Sequence, residues 1–175
     1  MARTWLAIKV ELVEGRGEYF WPRPGRVFAA SRSHMFAELA RSIDVAFGRW
    51  DFAHSHGFTL RDGTSIGTPD PEWGSPEALD DEITTLARLQ PGEAFAYEFD
   101  FGDGWTHLCT LLEEKVDPVE VLGITPDRPL VYWGAGDLPD QYGRRWLDDE
   151  GGSPGRNPNA KDLPPIHPGW GPRRR

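Results

Sequence analysis

Several features that would indicate a common enzyme class or a secreted protein are missing from this 175-residue sequence. Cysteine occurs once, at Cys109, which excludes an intramolecular disulfide and a zinc site of the CxxC type. The phosphate-binding patterns GxGxxG and GxxxxGKS/T do not occur. No apolar run approaches the roughly 20 residues that span a bilayer, and residues 1–13 predict a strand rather than a signal peptide. We therefore expect a cytoplasmic protein without a membrane segment.

Positive charge is also scarce over most of the chain. The formal net charge is −9, and residues 151–175 carry +4 of it, so residues 1–150 carry −13. An acidic surface repels the phosphate backbone of nucleic acids. We therefore expect a protein partner rather than nucleic acid for residues 1–150.

The composition predicts one globular domain and a tail. Hydrophobic residues make up 38% of the chain and charged residues 27%, with eight tryptophans and nine phenylalanines to fill a core. Eleven of the last 25 residues are glycine or proline. We assign residues 1–150 to the domain and predict a disordered or loosely docked tail over residues 151–175.

Hydrophobic periodicity predicts several elements of the domain. Residues 5–13 alternate as a half-buried strand, and residues 33–47 show helical spacing that ends at Gly48. A short second helix is predicted over residues 80–89 and a strand over residues 130–133. The side chains predicted to face the core from the first strand and helix are Leu6, Ile8, Val10, Leu12, Phe36, Leu39, Ala40, Ile43 and Phe47.

The clearest predicted element is a β-hairpin near the middle of the chain. Aromatic side chains alternate with small or polar ones over residues 95–101, and Asp103–Gly104 is the strongest short turn signal. A two-residue loop there pairs Asp100 with His107 and places Trp105 and His107 on the polar face, with the phenylalanines, Phe101 included, on the core face. The chain thus predicts an α+β fold, in which an antiparallel sheet containing this long hairpin packs against two or three helices.

The segment Phe95–His107, FAYEFDFGDGWTH, resembles the signature of one protein family. This is the plasmid pRiA-type open-reading-frame-three-like family, which includes TnpR-like passenger proteins of insertion elements. The segment Ala46–Phe58 resembles the family's upstream helix end and its HLHEF stretch, and the resemblance covers about residues 4–147. It implies an α+β fold with an antiparallel sheet and flanking helices, and it implies no activity.

The sequence departs from that family at two places. Gly57 stands where the family's HLHEF stretch has an acidic residue, and residues 134–143 contain no cysteine where many relatives carry them. A metal-binding role of those cysteines in relatives would be lost here.

Four side chains suggest a divalent metal site. They are His54, His56, Asp100 and His107. His54 and His56 share a face if they lie on a strand, and imidazole with carboxylate suits zinc, manganese or iron. This hypothesis describes a metal-dependent hydrolase-like enzyme. In the structural alternative, Asp100 orients His107 through a hydrogen bond and no metal is needed.

Two further catalytic interpretations use the same predicted face. Glu98 and Asp100 would act as a general acid and base, or Cys109 would act as a nucleophile beside His107. Solvated carboxylates and an inert, half-buried cysteine are the commoner arrangements. Because no catalytic set is complete, we favour a non-enzymatic protein.

The interpretation that we favour is a binding surface around the hairpin, formed by Trp105, Asp103, Trp50 and Glu98. Tryptophan is enriched at interfaces, where it supplies large buried areas. We predict an accessory or interaction module, associated with plasmids or mobile elements, that binds a protein partner. A nucleic-acid-associated regulator is the third interpretation, and the acidic charge disfavours it.

Overall fold

One sheet holds most of the secondary structure of the chain. The computed structural model describes residues 5–69, 72, 77–114 and 116–143. The predicted tail and the domain boundary at residue 150 lie outside these residues. Within them the strands are β1 Trp5–Gly15, β2 Glu18–Tyr19, β3 Gly25–Ser31, β4 His56–Thr59, β5 Ser65–Gly67, β6 Leu79–Asp80, β7 Ala94–Phe99, β8 Trp105–Leu112 and β9 Leu130–Ala135. Their order across the sheet is β6-β5-β4-β7-β8-β1-β3-β9, and β2 pairs with the end of β1.

The predicted α+β fold with two or three packed helices is wrong. The described residues form a nearly all-β fold with two α-helices, α1 Phe36–Ala46 and the five-residue α2 Pro118–Leu122. The sheet is mixed rather than antiparallel, because β5 and β6 run parallel. No helix in the described part of the chain is long and apolar enough to cross a membrane.

The predicted helix over residues 80–89 is replaced by the end of β6, a turn and a 3₁₀ helix over Leu86–Arg88. The backbone of Thr84 and Thr85 instead pairs with the start of α1, where Phe36 N donates to Thr84 O at 3.0 Å. Ile83, within the predicted helix, is 75% exposed. Tertiary pairing therefore overrides the local helical pattern.

In β1 and α1 the buried side chains are those that the hydrophobic periodicity of the sequence predicted. Every side chain predicted to face the core from these two elements is buried, and together they form one cluster between α1 and the sheet. Met35 is the residue that caps this helix, and Glu38 accepts a hydrogen bond from Met35 N at 2.8 Å. We call the face of the sheet that packs on α1 the inner face, and the opposite one the outer face.

The outer face is covered only in part by the described residues. Val27, Ala29 and Tyr132 form a small second cluster near the β3–β9 edge, with Leu122 of α2 packed against it. Toward β4, β5 and β7 the outer face carries small and polar side chains instead. That half of the outer face is where the described surface becomes concave.

The hairpin is present, but its predicted register is wrong. Tyr97 pairs with His107, and Phe99 pairs with Trp105. The prediction paired Asp100 with His107, an offset of three residues, and an odd offset turns every side chain of β8 to the other face. Trp105 and His107 therefore lie on the inner face. Phe101, predicted as core, lies in the loop and is 53% exposed.

The cause of this offset is the conformation of Asp100. Its φ is +57°, and its side chain accepts hydrogen bonds from the backbone N–H groups of Gly102 and Asp103 at 3.1 and 3.3 Å. Its carbonyl accepts from Gly104 N at 2.6 Å. Asp100 thus ends β7 and begins a loop over residues 100–104, which replaces the predicted two-residue turn.

Candidate functional site

The structure does not gather the four predicted metal ligands at one place. His107 lies buried on β8, and its Nδ1 is 3.0 Å from the carbonyl oxygen of Tyr97. His56 lies on β4, on the far side of β7, and its Nε2 is 2.6 Å from a carboxylate oxygen of Asp81. No group of three or more His, Cys, Asp or Glu side chains among the described residues is arranged to hold a metal ion.

His54 and Asp100 do come together, in a surface cluster with two residues that the sequence did not indicate. His54 Nδ1 is 3.4 Å from Asp100 Oδ2, and His54 Nε2 is 3.5 Å from Asp51 Oδ2. The hydroxyl of Tyr142 bonds to His54 Nε2 and, at 2.8 Å, to Asp51 Oδ2. Burial raises the pKa of Tyr142 to about 12, and the bond to Asp51 acts in the same direction.

This cluster is a connection between two loops. The side chain of Gln141 accepts hydrogen bonds from the backbone N–H groups of Trp50 and Asp51, at 2.9 and 3.0 Å, and donates to the carbonyl of Asp51 at 2.7 Å. The Trp50 ring meets the Tyr142 ring edge-on, with centroids 5.1 Å apart. These contacts hold the segment after β9 against the loop after α1.

Two residues of the predicted binding surface lie on opposite faces of the sheet. Glu98 lies on the outer face, but Trp105 is only 2% exposed and lies in the core. The ring of Phe20 stacks on Trp105 at 6.2 Å, and the guanidinium of Arg49 lies 5.1 Å from the Trp105 ring centroid. The placement of Trp105 on an exposed polar face is therefore wrong.

The remaining predicted positions have structural roles. The carbonyl of Asp103 accepts from Arg16 N at 2.7 Å, which ties the hairpin loop to the turn after β1. Cys109 is fully buried, and burial raises the pKa of its thiol, which keeps it protonated and unreactive. The buried thiol of Cys109 does not support the hypothesis that it is a nucleophile beside His107.

A buried polar network in the core was missed by the sequence reasoning. The hydroxyl of Tyr97 donates to both carboxylate oxygens of Asp44, and Arg49 lies buried nearby. Burial raises the pKa of Asp44 to about 6, although the charge of Arg49 acts in the opposite direction. Asp44 was not among the side chains predicted to face the core. Its spacing of four from Ala40 and eight from Phe36 puts it on the apolar stripe, and that spacing is the signal that could have located it.

The concave half of the outer face contains a groove with a defined row of residues across five strands. In register order from β5 to β1 the row is Gly67, Gly57, Glu98, Thr106 and Glu14. The two glycines have no side chains to fill the space above the sheet. The groove has a volume of about 250 Å³, and Phe101 and Thr106 also line it.

The groove combines the aromatic ring of Phe101 with the carboxylate of Glu98. A Cβ atom at Gly57 would lie 3.6 Å from Cζ of Phe101, so the ring projects over the glycine floor. Burial raises the pKa of Glu98 above its usual 4.5, and the negative charge of Glu14 acts in the same direction. A half-buried carboxylate beside another carboxylate is stabilised by a nearby positive charge. The groove can therefore receive a cation more readily than an anion.

Comparison with known proteins identifies relatives without a described activity. Residues 6–141 match the model of the family described as plasmid pRiA4b ORF-3-like protein. The uncharacterized protein y4hQ of Sinorhizobium fredii (strain NBRC 101917 / NGR234) is 34% identical over 113 residues, which cover 63% of this chain and 54% of that protein. The chain thus spans about half the length of this curated relative.

The fold also occurs in a solved structure. The crystal structure of a protein of unknown function, MM3350 from Methanosarcina mazei Go1, is similar with a TM-score of 0.59 and 18% sequence identity. The similarity covers 79% of this chain and 74% of that chain. At this level of identity it shows the fold alone.

Proposed function

Because the chain belongs to the plasmid pRiA4b ORF-3-like family, whose matched relatives carry no described activity, we propose a function from its own surface. The protein is an interaction module that binds a positively charged segment of a partner protein in the outer-face groove, in the cytoplasm. Its association with plasmids or mobile elements is part of the same proposal.

The observation that carries this proposal is the position of Glu98 between a glycine floor and an aromatic wall. A lysine or arginine side chain that enters over Gly57 would meet the Phe101 ring along its stem and the Glu98 carboxylate at its end. The apolar stem of lysine or arginine packs favourably against an aromatic ring, and a carboxylate forms a charge-assisted hydrogen bond with the charged end. Thr106 completes the polar end of the groove, and Glu14 pairs with Thr106 on the neighbouring strand.

The charge of the whole domain supports a basic partner. Residues 1–150 carry a formal charge of −13, and complementary charge accelerates association and discourages wrong partners. The same charge weighs against the nucleic-acid interpretation. The hydrolase interpretation has less support, because its four ligands are divided between the core, the β4–Asp81 contact and the surface cluster around His54.

Peptide binding tests the proposal. A fluorescein-labelled peptide of alternating lysine and alanine is titrated with the protein at low salt, and fluorescence anisotropy reports binding. We expect saturable binding that Glu98→Gln weakens about tenfold, the worth of one charge-assisted hydrogen bond. Glu113→Gln removes the same charge from an exposed position outside the groove and is the matched control.

A second variant separates shape from charge. Gly57→Val keeps Glu98 and fills the floor of the groove, where the nearest atoms to an added Cβ lie at ordinary contact distances of 3.6 and 3.7 Å. We expect it to weaken binding as well. Equal affinity of the wild type and both groove variants, or equal binding of an alternating glutamate–alanine peptide, would show that the groove is not the binding site.

A further inference from the structure

Three of the buried side-chain nitrogen atoms in the described part of the chain lie near one another in the core and have no hydrogen-bond partner. They are Nη1 of Arg49, Nε1 of Trp105 and Nε2 of His107. The side chains are almost completely buried, with exposed fractions of 6%, 2% and 0%. Buried polar groups in folded proteins are hydrogen-bonded in the large majority of cases, so three unpaired atoms require an explanation.

The three atoms belong to one neighbourhood of the core. Trp105 and His107 are two residues apart on β8 and so share the inner face. The guanidinium of Arg49 lies 5.1 Å from the Trp105 ring centroid. The ring of Phe47 lies 5.5 Å from that guanidinium and 5.0 Å from the His107 ring, and it joins the two sides of the neighbourhood.

The hydrogen-bonding capacity of these atoms is fixed by their chemistry. Nδ1 of His107 faces the carbonyl oxygen of Tyr97, which can only accept, so Nδ1 carries the hydrogen. Burial, together with the positive charge of Arg49, holds the pKa of His107 well below 6.5 and keeps the ring neutral. Nε2 of His107 is then an acceptor, whereas Arg49 and Trp105 can only donate.

We propose that these three side chains bind one ordered water molecule in the core. The water accepts hydrogen bonds from Arg49 Nη1 and Trp105 Nε1, and it donates one to His107 Nε2. Two donors and one acceptor are the complement of a water molecule, which typically makes about three hydrogen bonds when buried.

Other occupants fit these atoms less well. An anion without a hydrogen, such as chloride, can only accept, and it would lie against the lone pair of His107. A metal cation would be repelled by the guanidinium of Arg49. The ring of Phe20 stacks on the ring of Trp105, and Gly15 lies directly against the same ring. These two residues shield the Trp105 ring from solvent. We therefore expect the water to exchange slowly with solvent.

The test is a water–protein Overhauser measurement on ¹⁵N-labelled protein. The indole N–H signal of Trp105 is assigned by its loss in Trp105→Phe. We expect a water cross-peak at this N–H, with opposite signs in the laboratory-frame and rotating-frame spectra, as for a bound water. His107→Leu removes the acceptor and should abolish the cross-peak, whereas His107→Gln keeps an acceptor and should retain it.

Several outcomes would overturn the proposal. Absence of the cross-peak in the wild type does so without any variant, so the test stands even where His107→Leu fails to fold. A cross-peak that persists unchanged in a folded His107→Leu protein also does so. A shift of the Trp105 indole signal on titration with sodium chloride or sodium phosphate would identify an anion in place of the water.

Discussion

The hydroxyl group of Tyr97 lies 2.9 Å from both carboxylate oxygens of Asp44. This contact joins β7 to α1 across the core, between residues 53 positions apart in the chain. It also places a carboxylate where burial opposes its ionisation. The inner face of the sheet is therefore held to α1 by a polar contact as well as by apolar packing.

Tyr97→Phe should destabilise the fold, because it leaves the buried carboxylate of Asp44 without its donor. The expected loss is about 1–3 kcal/mol in the free energy of unfolding, the usual range for an unsatisfied buried group. Urea denaturation followed by tryptophan fluorescence measures it. Tyr19→Phe removes a hydroxyl from an exposed tyrosine and should change stability little. Equal effects of the two substitutions would contradict this account of the contact.

Asp44 should make stability fall as the pH rises from about 4 to about 6. Its pKa is about 6 in the folded protein and 3.8 in the unfolded reference, so the unfolded chain releases this proton first. The favourable contribution is complete below the unfolded pKa and is lost as the pH rises through the folded pKa, with a slope of at most about 1.4 kcal/mol per pH unit.

Comparison of the wild type with Asp44→Asn isolates this contribution, since other titrating groups are common to both proteins. The free energy of unfolding is measured at several pH values across the window. The stability of the wild type relative to the variant should decrease with rising pH and level off above it. A constant difference across the window would rule out the raised pKa.

Gly15→Ala should destabilise the protein by overpacking. A Cβ atom at Gly15 would overlap the ring of Trp105, which Phe20 and Arg49 hold in place. Such overpacking typically costs about 1–3 kcal/mol. Gly25→Ala is the matched control on β3, because the nearest atom to its added Cβ lies at an ordinary 3.7 Å. Thermal or urea unfolding of both variants decides whether the Trp105 ring is as rigidly placed as described.

Binding of the lysine–alanine peptide should weaken as the medium becomes acidic. The pKa of Glu98 is raised above 4.5 by burial and by Glu14, so its carboxylate is protonated earlier than an exposed glutamate as the pH falls. The anisotropy titration is repeated from pH 7 down to pH 4 with the wild type and Glu98→Gln. The two affinities should converge at the acidic end. If the difference between the two affinities stays constant over this pH range, the effect of Glu98→Gln is not due to the charge of Glu98.

The elements with a regular pattern were predictable from the sequence. The alternation in β1 and the helical spacing in α1 identified the core residues of both elements. The reason is that the apolar side of each element packs into the same core layer between α1 and the sheet. The hairpin was also recognisable, but its register depends on the left-handed conformation of Asp100. No hydrophobic pattern encodes that conformation, and so the faces of Trp105 and His107 were assigned the wrong way round.

The candidate site could be predicted only in part. Glu98 was placed on a polar face by its alternation with Tyr97 and Phe99, and the outer face is where it lies. The groove also needs Gly57 and Gly67. These glycines come next to Glu98 only because β4 pairs with β7 and β5 pairs with β4, although β4 and β7 are far apart in the sequence. Such neighbours follow from the tertiary fold, and local spacing does not identify them.

The register of the hairpin also places the one thiol of the chain, that of Cys109, opposite Phe95 in the middle of the sheet. Cys109 lies on the inner face, in the core cluster between α1 and the sheet, so an alkylating reagent can reach its sulfur only after this packing has opened. The rate of alkylation therefore records how often this part of the core opens. Alkylation of this natural thiol therefore measures opening of the folded state without an engineered label.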